Sequence, residues 1–307
     1  MNIRSIFLKR RLWKIGIYEI YNEDEIFKRA LVQPFHIIGE KGFRKNFSYQ
    51  STIADPFLFV KDLVLYVFYE AQTDFGAGEI WAQSMNAVGE WSNHGCVIKE
   101  SFHLSYPQVF AYNNNIYMVP EAAASGNVFL YRSTLFPIKW ERSKVLVAES
   151  LLDPSIIIRP EGIYLFGTTR SDDLKMYHSR SFEDEFVELD VVISNCKSTA
   201  RNAGAILEVN NKIYRVAQDC KRTYGEKIHV FEINKLGLNG YSERLIESEI
   251  FANRPSWASE GYHHLSLARL GDRTFVAVDG FAWDTRLNKA SLIWLKFIFL
   301  IKKHIGL

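Results

Sequence analysis

The sequence has few cysteines and almost no net charge, and each of these absences excludes a class of protein. Its three cysteines (Cys96, Cys196 and Cys220) are odd in number and far apart, so they form neither a CxxC zinc spacing nor a disulfide framework. The formal net charge of +2 at pH 7 provides no overall attraction to nucleic acid. We therefore expect reduced thiols and no nucleic-acid partner.

Several familiar motifs are also absent. No Walker A, GxGxxG, HExxH or GxSxG pattern occurs in a suitable context, so we predict neither a cofactor nor a metal. The N-terminus is basic but lacks an apolar stretch long enough for a secretory signal and lacks a small-residue cleavage site. Together with the reduced cysteines, this predicts a cytoplasmic protein.

What the sequence does contain is a repeated β-hairpin. Residues 55–70 form two apolar runs around a polar turn at Lys61-Asp62, and they begin and end on the carboxylates Asp55 and Glu70. The copies start about every 50 residues, which is typical of a repeat architecture. The same 15-residue spacing recurs from Tyr106 to Glu121, Asp153 to Thr168, Ala203 to Gln218 and His264 to Asp279.

Each copy leaves room for two more strands, and four strands per repeat are typical of a propeller blade. Five copies predict an all-β fold, a five-bladed β-propeller over residues 51–290. Residues 1–50 would supply a connector and an N-terminal strand, near residues 12–20, that closes the ring.

Residues 291–307 alternate apolar side chains with lysines and are too short and too charged to span a bilayer. They could form a last strand or helix buried on the ring. They could instead anchor the protein at a membrane surface, helped by the basic N-terminus, which would place it at the inner face of the membrane.

The first strand of each blade lines a propeller's axis, so both ends of each hairpin should converge on one mouth of the channel. Two carboxylates there, Asp55 and Asp153 on facing blades, suit glycosyl transfer, in which one acts as base or nucleophile and the other assists. Both precede proline, which suits the first residue of a strand, although Asp-Pro is also an ordinary turn dipeptide. The candidate substrate-binding residues are Glu70, Tyr106, Glu121, Arg201, Gln218, His263, His264 and Asp279.

Several of these residues have an alternative role. Glu70 and Glu121 could be structural ion-pair partners of a residue such as Arg201, and Arg201 could instead bind phosphate. His263 and His264 could bind sugar hydroxyls or a central cation.

Five segments resemble the N-terminal domain of plant glucosamine inositolphosphorylceramide transferase, and the resemblance covers roughly residues 12–285. The segments are Ala-Asp-Pro-Phe at 54–57, Tyr-Pro-Gln-Val at 106–109, Val-Pro-Glu at 119–121, Asp-Pro-Ser-Ile at 153–156 and Gly-Tyr-His-His-Leu-Ser at 261–266. The resemblance implies a relation to the five-bladed propellers of arabinanases, β-xylosidases, invertases and levansucrases. It also implies a surface-polysaccharide context for bacterial members.

In those hydrolases a blade-one Asp is base or nucleophile, a blade-three Asp stabilises the transition state and a Glu donates the proton. By resemblance, Asp55 matches the first position and Asp153 the second. The start of blade four has Arg201 and no Glu. Glu260, in Glu-Gly-Tyr-His-His, resembles the Glu-Gly-Pro-His pattern of the hydrolases but lies in another blade, and Glu121 is the other candidate.

A site with no clear proton donor favours an activated sugar, because a nucleoside diphosphate leaves readily. We therefore expect a glycosyltransferase of cell-surface polysaccharide synthesis that takes a nucleotide sugar and a glycan or lipid-linked glycan acceptor. Asp55 would be the base, Asp153 would hold sugar hydroxyls, and Arg201 with His263 or His264 would meet phosphate. The alternatives are a glycoside hydrolase that uses Asp55, Asp153 and Glu260, and a non-catalytic glycan-binding propeller.

Overall fold

The computed structural model describes 11 stretches of the chain, and the statements below concern these residues. They are 10–20, 26–27, 33–39, 44–45, 48–73, 76–191, 193–247, 250–251, 253–284, 297 and 300–301. Of the C-terminal segment predicted as a buried element or an anchor, only residues 297, 300 and 301 are described. All three are helical, with exposed side chains. The described helical residues include no stretch with the length and hydrophobicity needed to cross a bilayer.

Twenty-one strands form five antiparallel sheets, which confirms the predicted five-bladed β-propeller. The first strands are β1 (Arg10–Ile20), β2 (His36–Ile38), β3 (Arg44–Lys45), β4 (Ser48–Lys61), β5 (Val64–Thr73), β6 (Glu79–Met85) and β7 (Trp91–Ile98). The middle strands are β8 (Ser105–Tyr112), β9 (Asn115–Glu121), β10 (Val128–Leu135), β11 (Lys139–Val147), β12 (Leu152–Arg159), β13 (Gly162–Thr168), β14 (Leu174–Ser179) and β15 (Val187–Glu188). The last strands are β16 (Leu207–Val209), β17 (Lys212–Asp219), β18 (Lys227–Gly237), β19 (Gly240–Glu247), β20 (Gly261–Leu270) and β21 (Arg273–Asp284).

Each blade begins with one of the predicted hairpins, on the strand pairs β4–β5, β8–β9, β12–β13, β16–β17 and β20–β21. The two-residue turn at Asn113-Asn114 has positive φ at both positions, and so does the turn at Asn210-Asn211. Asparagine tolerates this left-handed backbone, which matches the twist of the strands that the turn joins. The local turn chemistry therefore sets the register of these hairpins.

The N-terminal strand closes the ring. β1 pairs with β21 in antiparallel register from Arg10 opposite Asp284 to Ile20 opposite Thr274, and β2 pairs with the outer side of β1. Blade five therefore combines the two ends of the propeller. The strand predicted near residues 12–20 lies in this position.

The apolar core is divided among the joints between blades. Five clusters of buried apolar residues each span two consecutive blades, so every sheet packs a face against each neighbour. The cluster between blades one and two, for example, joins Phe68 to Val109. The propeller is thus stabilised around its circumference by the burial of apolar surface at five joints.

One sequence-based detail is wrong. Asp55 is not the first residue of its strand, because β4 begins at Ser48, and Tyr106 and Asp153 each follow the first residue of theirs. All three occupy bulges where the pairing register shifts, and their φ angles of 53°, 50° and 47° are left-handed. Non-glycine residues adopt this conformation only where the surroundings enforce it. The bulges interrupt the inner strands next to the axis.

Side chains fill the axis below these bulges. The Tyr106 hydroxyl donates to the Gly204 carbonyl oxygen at 2.6 Å and accepts from the Gly204 backbone N–H at 2.7 Å, which links blade two to blade four. The rings of Phe57 and His264 lie 4.6 Å apart, and that of Tyr106 lies 5.1 Å from His264. Gly204 has a φ of 145° and lies so close to blade five that an added Cβ would be 2.1 Å from the Leu265 carbonyl oxygen.

We predict that Gly204→Ala destabilises the ring by roughly 3 kcal/mol or more, since it combines backbone strain with a clash against main chain. Gly237→Ala is the matched control, because nothing lies within 4 Å of its added Cβ. Urea unfolding of both variants measures the difference. Equal midpoints would contradict the role assigned to Gly204.

Candidate active site

A cavity of about 300 Å³ opens at the mouth formed by the bulges. Blades one and two supply three carboxylates to its wall, Asp55, Glu70 and Glu121, and Arg201 from the start of blade four faces them. Trp13 of β1 is one of two aromatic rings in the wall. A concave site with aromatic walls and converging polar groups is typical of small-ligand binding.

Buried carboxylates connect each blade to the next around this mouth. Asp279 of blade five accepts the Asp55 backbone N–H at 2.8 Å, and Asp55 accepts that of Tyr106 at 3.2 Å. Glu121 in turn accepts the Asp153 backbone N–H at 3.0 Å. Because an unpaired buried amide is costly, these carboxylates satisfy donors that the bulges remove from the sheets.

Hydrogen bonds also join blade three to blade four and blade four to blade five. Gln218 donates to Asp153 Oδ2 at 2.7 Å and to the Asn202 carbonyl oxygen at 2.9 Å. The Leu265 backbone N–H of blade five donates to the Ala203 carbonyl oxygen at 2.7 Å. Every joint of the ring therefore carries a hydrogen bond at this level.

Asp55 combines burial with a cationic neighbour. Its side chain lines the cavity, and its Oδ1 lies 3.3 Å from Nε2 of His263, whose Nδ1 lies 2.7 Å from Asp279. Burial raises the pKa of Asp55 to about 7, against the opposing effect of His263. Burial alone would lower the pKa of His263, but Asp279 and Asp55 outweigh it and raise that pKa above its usual range. The two carboxyl groups on either side of the histidine thus favour its protonated form.

The same three residues, Asp55, His263 and Asp279, bring ligand atoms within 4.8 Å of one another and form the one such group among the described residues. The imidazole already occupies the space between the two carboxylates and directs one nitrogen to each of them. The His263 ring therefore occupies the position between the two carboxylates.

Asp153 does not line the cavity. Arg201 covers it, donating from Nε and Nη2 to Asp153 Oδ2 at 2.8 and 2.7 Å. Although burial disfavours the charge, Asp153 raises the pKa of Arg201 well above its usual range, and the guanidinium stacks on Tyr224 at 5.2 Å. Arg201 Nη2 also lies 3.8 Å from Glu121 Oε2, so two carboxyl groups pair with its positive charge.

Glu260 also lies outside the cavity wall. It immediately precedes β20, its backbone N–H donates to the Phe281 carbonyl oxygen at 3.0 Å, and its carboxylate accepts the Trp283 indole N–H at 3.0 Å. These two bonds direct the side chain towards Trp283. The structure therefore does not bring Glu260 together with Asp55.

Four of the predicted substrate-binding residues are structural parts of the axis rather than of the cavity wall: Tyr106, Gln218, His264 and Asp279. His264 shows why. Burial lowers its pKa to about 3, and neither ring nitrogen has a hydrogen-bond partner within the described part of the chain. A neutral ring packed between aromatic neighbours cannot meet phosphate. Glu70, Glu121, Arg201 and His263 do line the cavity, as Asp55 does.

The hairpin pattern did not identify several cavity residues, among them Arg11, Trp13, His103 and Tyr224. Trp13 stacks on His263 at 4.4 Å, and Tyr224 approaches the same ring at 5.1 Å. They lie outside the 15-residue spacing, on β1 and on connecting segments. Their one sequence signal was aromatic or basic character next to a predicted strand.

The arrangement of the blades defines a class, the five-bladed β-propellers. An α-L-arabinofuranosidase from Podospora anserina in complex with cellotriose aligns with 77% of this chain and 93% of its own at a TM-score of 0.57 and 11% identity. The RS223 β-xylosidase aligns with 74% of this chain and 91% of its own at a TM-score of 0.53 and 15% identity. These similarities show the fold.

The family is more specific. The family model described as glucosamine inositolphosphorylceramide transferase 1, N-terminal, matches residues 36–281, and the chain belongs to this family, which confirms the resemblance of the five segments. Glucosamine inositolphosphorylceramide transferase 1 of Oryza sativa subsp. japonica is 33% identical over 258 residues, 78% of this chain and 34% of its own length. The protein of the same name from Arabidopsis thaliana is 34% identical over 249 residues, 74% of this chain and 32% of its own. The chain thus spans about a third of the length of these relatives.

We predict that ionisation of the buried Asp55 lowers the free energy of unfolding as the pH rises. Its pKa is about 7 when folded and near 3.8 in a free chain, so the folded state retains the proton more strongly. The stabilising contribution is fully present below about pH 4 and is lost as the pH rises to about 7. Asp55→Asn does not ionise, and its stability relative to wild type should rise across this window, by on the order of 4 kcal/mol at most.

Urea unfolding between pH 4 and pH 8 measures this effect. Asp62→Asn, at an exposed hairpin turn, is the control and should show no such trend. A constant difference between Asp55→Asn and wild type at all pH values would contradict the predicted ionisation.

Proposed function

We propose that the propeller binds a sugar in the axial cavity and acts in glycosyl transfer to a glycan or lipid-linked glycan, with Asp55 as the base. The observation that carries the proposal is the placement of Asp55, a carboxylate in the cavity wall with a pKa of about 7. A base is most effective when its pKa lies near the working pH. The names of the family relatives support the reaction class.

His263 and the Tyr106 amide are the positioning groups in this proposal. They bind different oxygens of Asp55, so the carboxylate is fixed in rotation while one edge faces the cavity. Asp153 acts indirectly, by holding the Arg201 guanidinium at the wall. This differs from the sequence-based expectation that Asp153 itself holds sugar hydroxyls.

We propose a nucleotide sugar as the donor, with Arg11 meeting its phosphates. Arg11 donates to the Thr223 hydroxyl at 2.7 Å and lies over the Phe281 ring at 5.0 Å. Across the described stretches of the cavity wall, it is the one arginine that has no carboxylate partner. A guanidinium with unneutralised charge suits phosphate better than Arg201, which Asp153 already neutralises.

The biological setting also belongs to the proposal. Donor sugars and lipid-linked acceptors are available in the cytoplasm at the inner face of the membrane, and surface-polysaccharide synthesis uses both. The basic N-terminal and apolar C-terminal segments would favour a membrane-surface acceptor.

A non-catalytic sugar-binding role is the second candidate. The observation that favours it is the length of the relatives, of which about two thirds lies outside the matched region. In this case the chemistry would reside elsewhere and the cavity carboxylates would only bind hydroxyls. A hydrolase that depends on Asp153 and Glu260 receives less support, because neither residue lines the cavity.

We predict that Asp55→Asn still binds the donor but reduces transfer by roughly 100-fold or more, since removing a base affects turnover rather than ground-state binding. UDP-, GDP- and CMP-sugars are tested by thermal shift, and transfer by release of the nucleotide. Asp62→Asn is the control. Sugar binding without turnover in wild type would favour the second candidate, and the absence of any thermal shift would overturn the nucleotide-sugar donor.

We predict that Arg11→Ala weakens nucleotide-sugar binding by about tenfold, as expected for the loss of a charge-assisted hydrogen bond, and leaves free-sugar binding unchanged. Arg180→Ala, at a highly exposed position, is the control. Isothermal titration calorimetry measures both affinities. Equal loss for the nucleotide sugar and the free sugar would contradict a phosphate contact.

A further inference from the structure

The cavity holds a second carboxyl group whose surroundings differ from those of Asp55. We infer that Glu70 is the proton donor of this site and that His103 positions it, so that the pair supplies the function for which the start of blade four has no carboxylate. The inference rests on the proposed function. It concerns a residue that the hairpin pattern assigned only to substrate binding.

The tautomer of His103 follows from its contacts. Its Nδ1 accepts the Gly78 backbone N–H at 2.9 Å and therefore carries no proton. The ring proton of the neutral imidazole is then on Nε2, which lies 3.4 Å from Glu70 Oε1. Burial lowers the pKa of His103, which favours this neutral form.

The backbone holds the pair in place. The Leu104 N–H donates to the Gly78 carbonyl oxygen at 3.1 Å, so residues 78 and 103–104 are joined by two hydrogen bonds. A Cβ at Gly78 would lie 2.4 Å from the Leu104 oxygen and 2.8 Å from Glu70 Oε1. Only glycine allows this close approach.

The charges around Glu70 explain why it keeps its proton. Asp55 has His263 at 3.3 Å and accepts a backbone N–H, whereas His103 is the one ion-pair or hydrogen-bond partner of the Glu70 side chain among the described residues. The titratable and charged groups around it are His103 before β8, Asp55 on β4, Glu121 on β9, Asp153 on β12 and Asp279 on β21, with Arg11, Arg201, Tyr224 and His263 in the same cavity wall. Burial and the four carboxylates raise the pKa of Glu70 well above its usual range. Two carboxyls with such different surroundings divide into a base and an acid.

The proposed step balances in protons and electrons. The acceptor hydroxyl gives its proton to Asp55 as its oxygen bonds to C1 of the donor sugar. The bond between C1 and the leaving oxygen breaks, and that oxygen takes the proton of Glu70. Asp55 ends protonated and Glu70 ionised, and exchange with solvent restores both. Such an acid matters most for a donor whose leaving group is poor.

The first test requires no turnover. Infrared spectra of the full chain at pH 8 should show the carbonyl stretching band of a protonated carboxyl group, which Glu70→Gln removes. Glu208→Gln, at an exposed ion pair, should retain the band. A band that persists in Glu70→Gln, or that Asp55→Asn removes instead, would overturn the assignment.

A matched pair of variants tests His103. Gln keeps a donor near the position of Nε2, whereas Asn keeps an acceptor near Nδ1 and loses the donor to Glu70. Loss of that donor disfavours the ionised form of Glu70. In His103→Asn the band should therefore disappear at a higher pH than in wild type, whereas in His103→Gln it should disappear at a pH close to that of wild type. Identical titrations of both variants and wild type would refute the positioning role.

Measurements of turnover distinguish a failure of this inference from a failure of the proposed function. Glu70→Gln should remove the alkaline limb of the pH–rate profile. It should lower kcat by about 100-fold for a donor with a poor leaving group and by less for a nucleotide sugar. If Asp55→Asn abolishes transfer while Glu70→Gln does not, or if Glu260→Gln does so in its place, the inference fails and the proposed function stands. If Glu70→Gln lowers transfer but Asp55→Asn leaves it unchanged, the proposed role of Asp55 as base fails and Glu70 remains the acid.

Discussion

The hydrogen bonds from bulge amides to buried carboxylates are the interaction on which the rest of the structure depends. A left-handed residue in an inner strand turns its N–H away from the sheet, and in an apolar channel that donor would be unsatisfied. Asp279, Asp55 and Glu121 each accept such a donor from the neighbouring blade. The same bonds join neighbouring blades and gather acidic side chains at one end of the axis.

Carboxylates that join neighbouring blades also line the cavity. The cavity is therefore acidic although the protein is close to neutral. A carboxylate that accepts one amide retains free lone pairs, and Asp55 and Glu121 present these to the cavity. Asp279, which accepts the backbone N–H groups of Asp55, His263 and His264 and contacts the His263 ring, has no such capacity and does not line the cavity. A carboxylate at the propeller axis can therefore contact a ligand only if the protein's own hydrogen-bond donors leave some of its lone pairs free.

Much of this arrangement could be predicted from residue spacing, because hairpins repeat with the chain. The interval from Asp55 to Glu70, recurring from Tyr106 to Glu121, indicated both the blades and the convergence of their ends. Spacing carries no information on side-chain pairing across the ring. It therefore could not show that Arg201 would cover Asp153, or that Glu260 would turn towards Trp283. Nor could it identify His103, whose role depends on a contact with the Gly78 amide from another segment.

The bulges themselves were interpreted incorrectly for a physical reason. Proline after Asp55 and Asp153 suits the beginning of a strand, and a local rule has no means of recognising a left-handed residue that distant carboxylates stabilise. The conformation is enforced by the neighbouring blade, so it becomes visible only when the ring is assembled.

The closure of blade five has a consequence for biogenesis. β1 is synthesised first but pairs with β21, and it carries Arg11 and Trp13 into the cavity wall. During translation β1 cannot pair until the last hairpin has been synthesised. Pairing between strands that are so far apart in sequence slows folding. The cavity cannot exist on a nascent chain, because its wall is completed only after the fifth blade has emerged from the ribosome. An incompletely synthesised propeller would therefore lack the side of the cavity that Arg11 and Trp13 form.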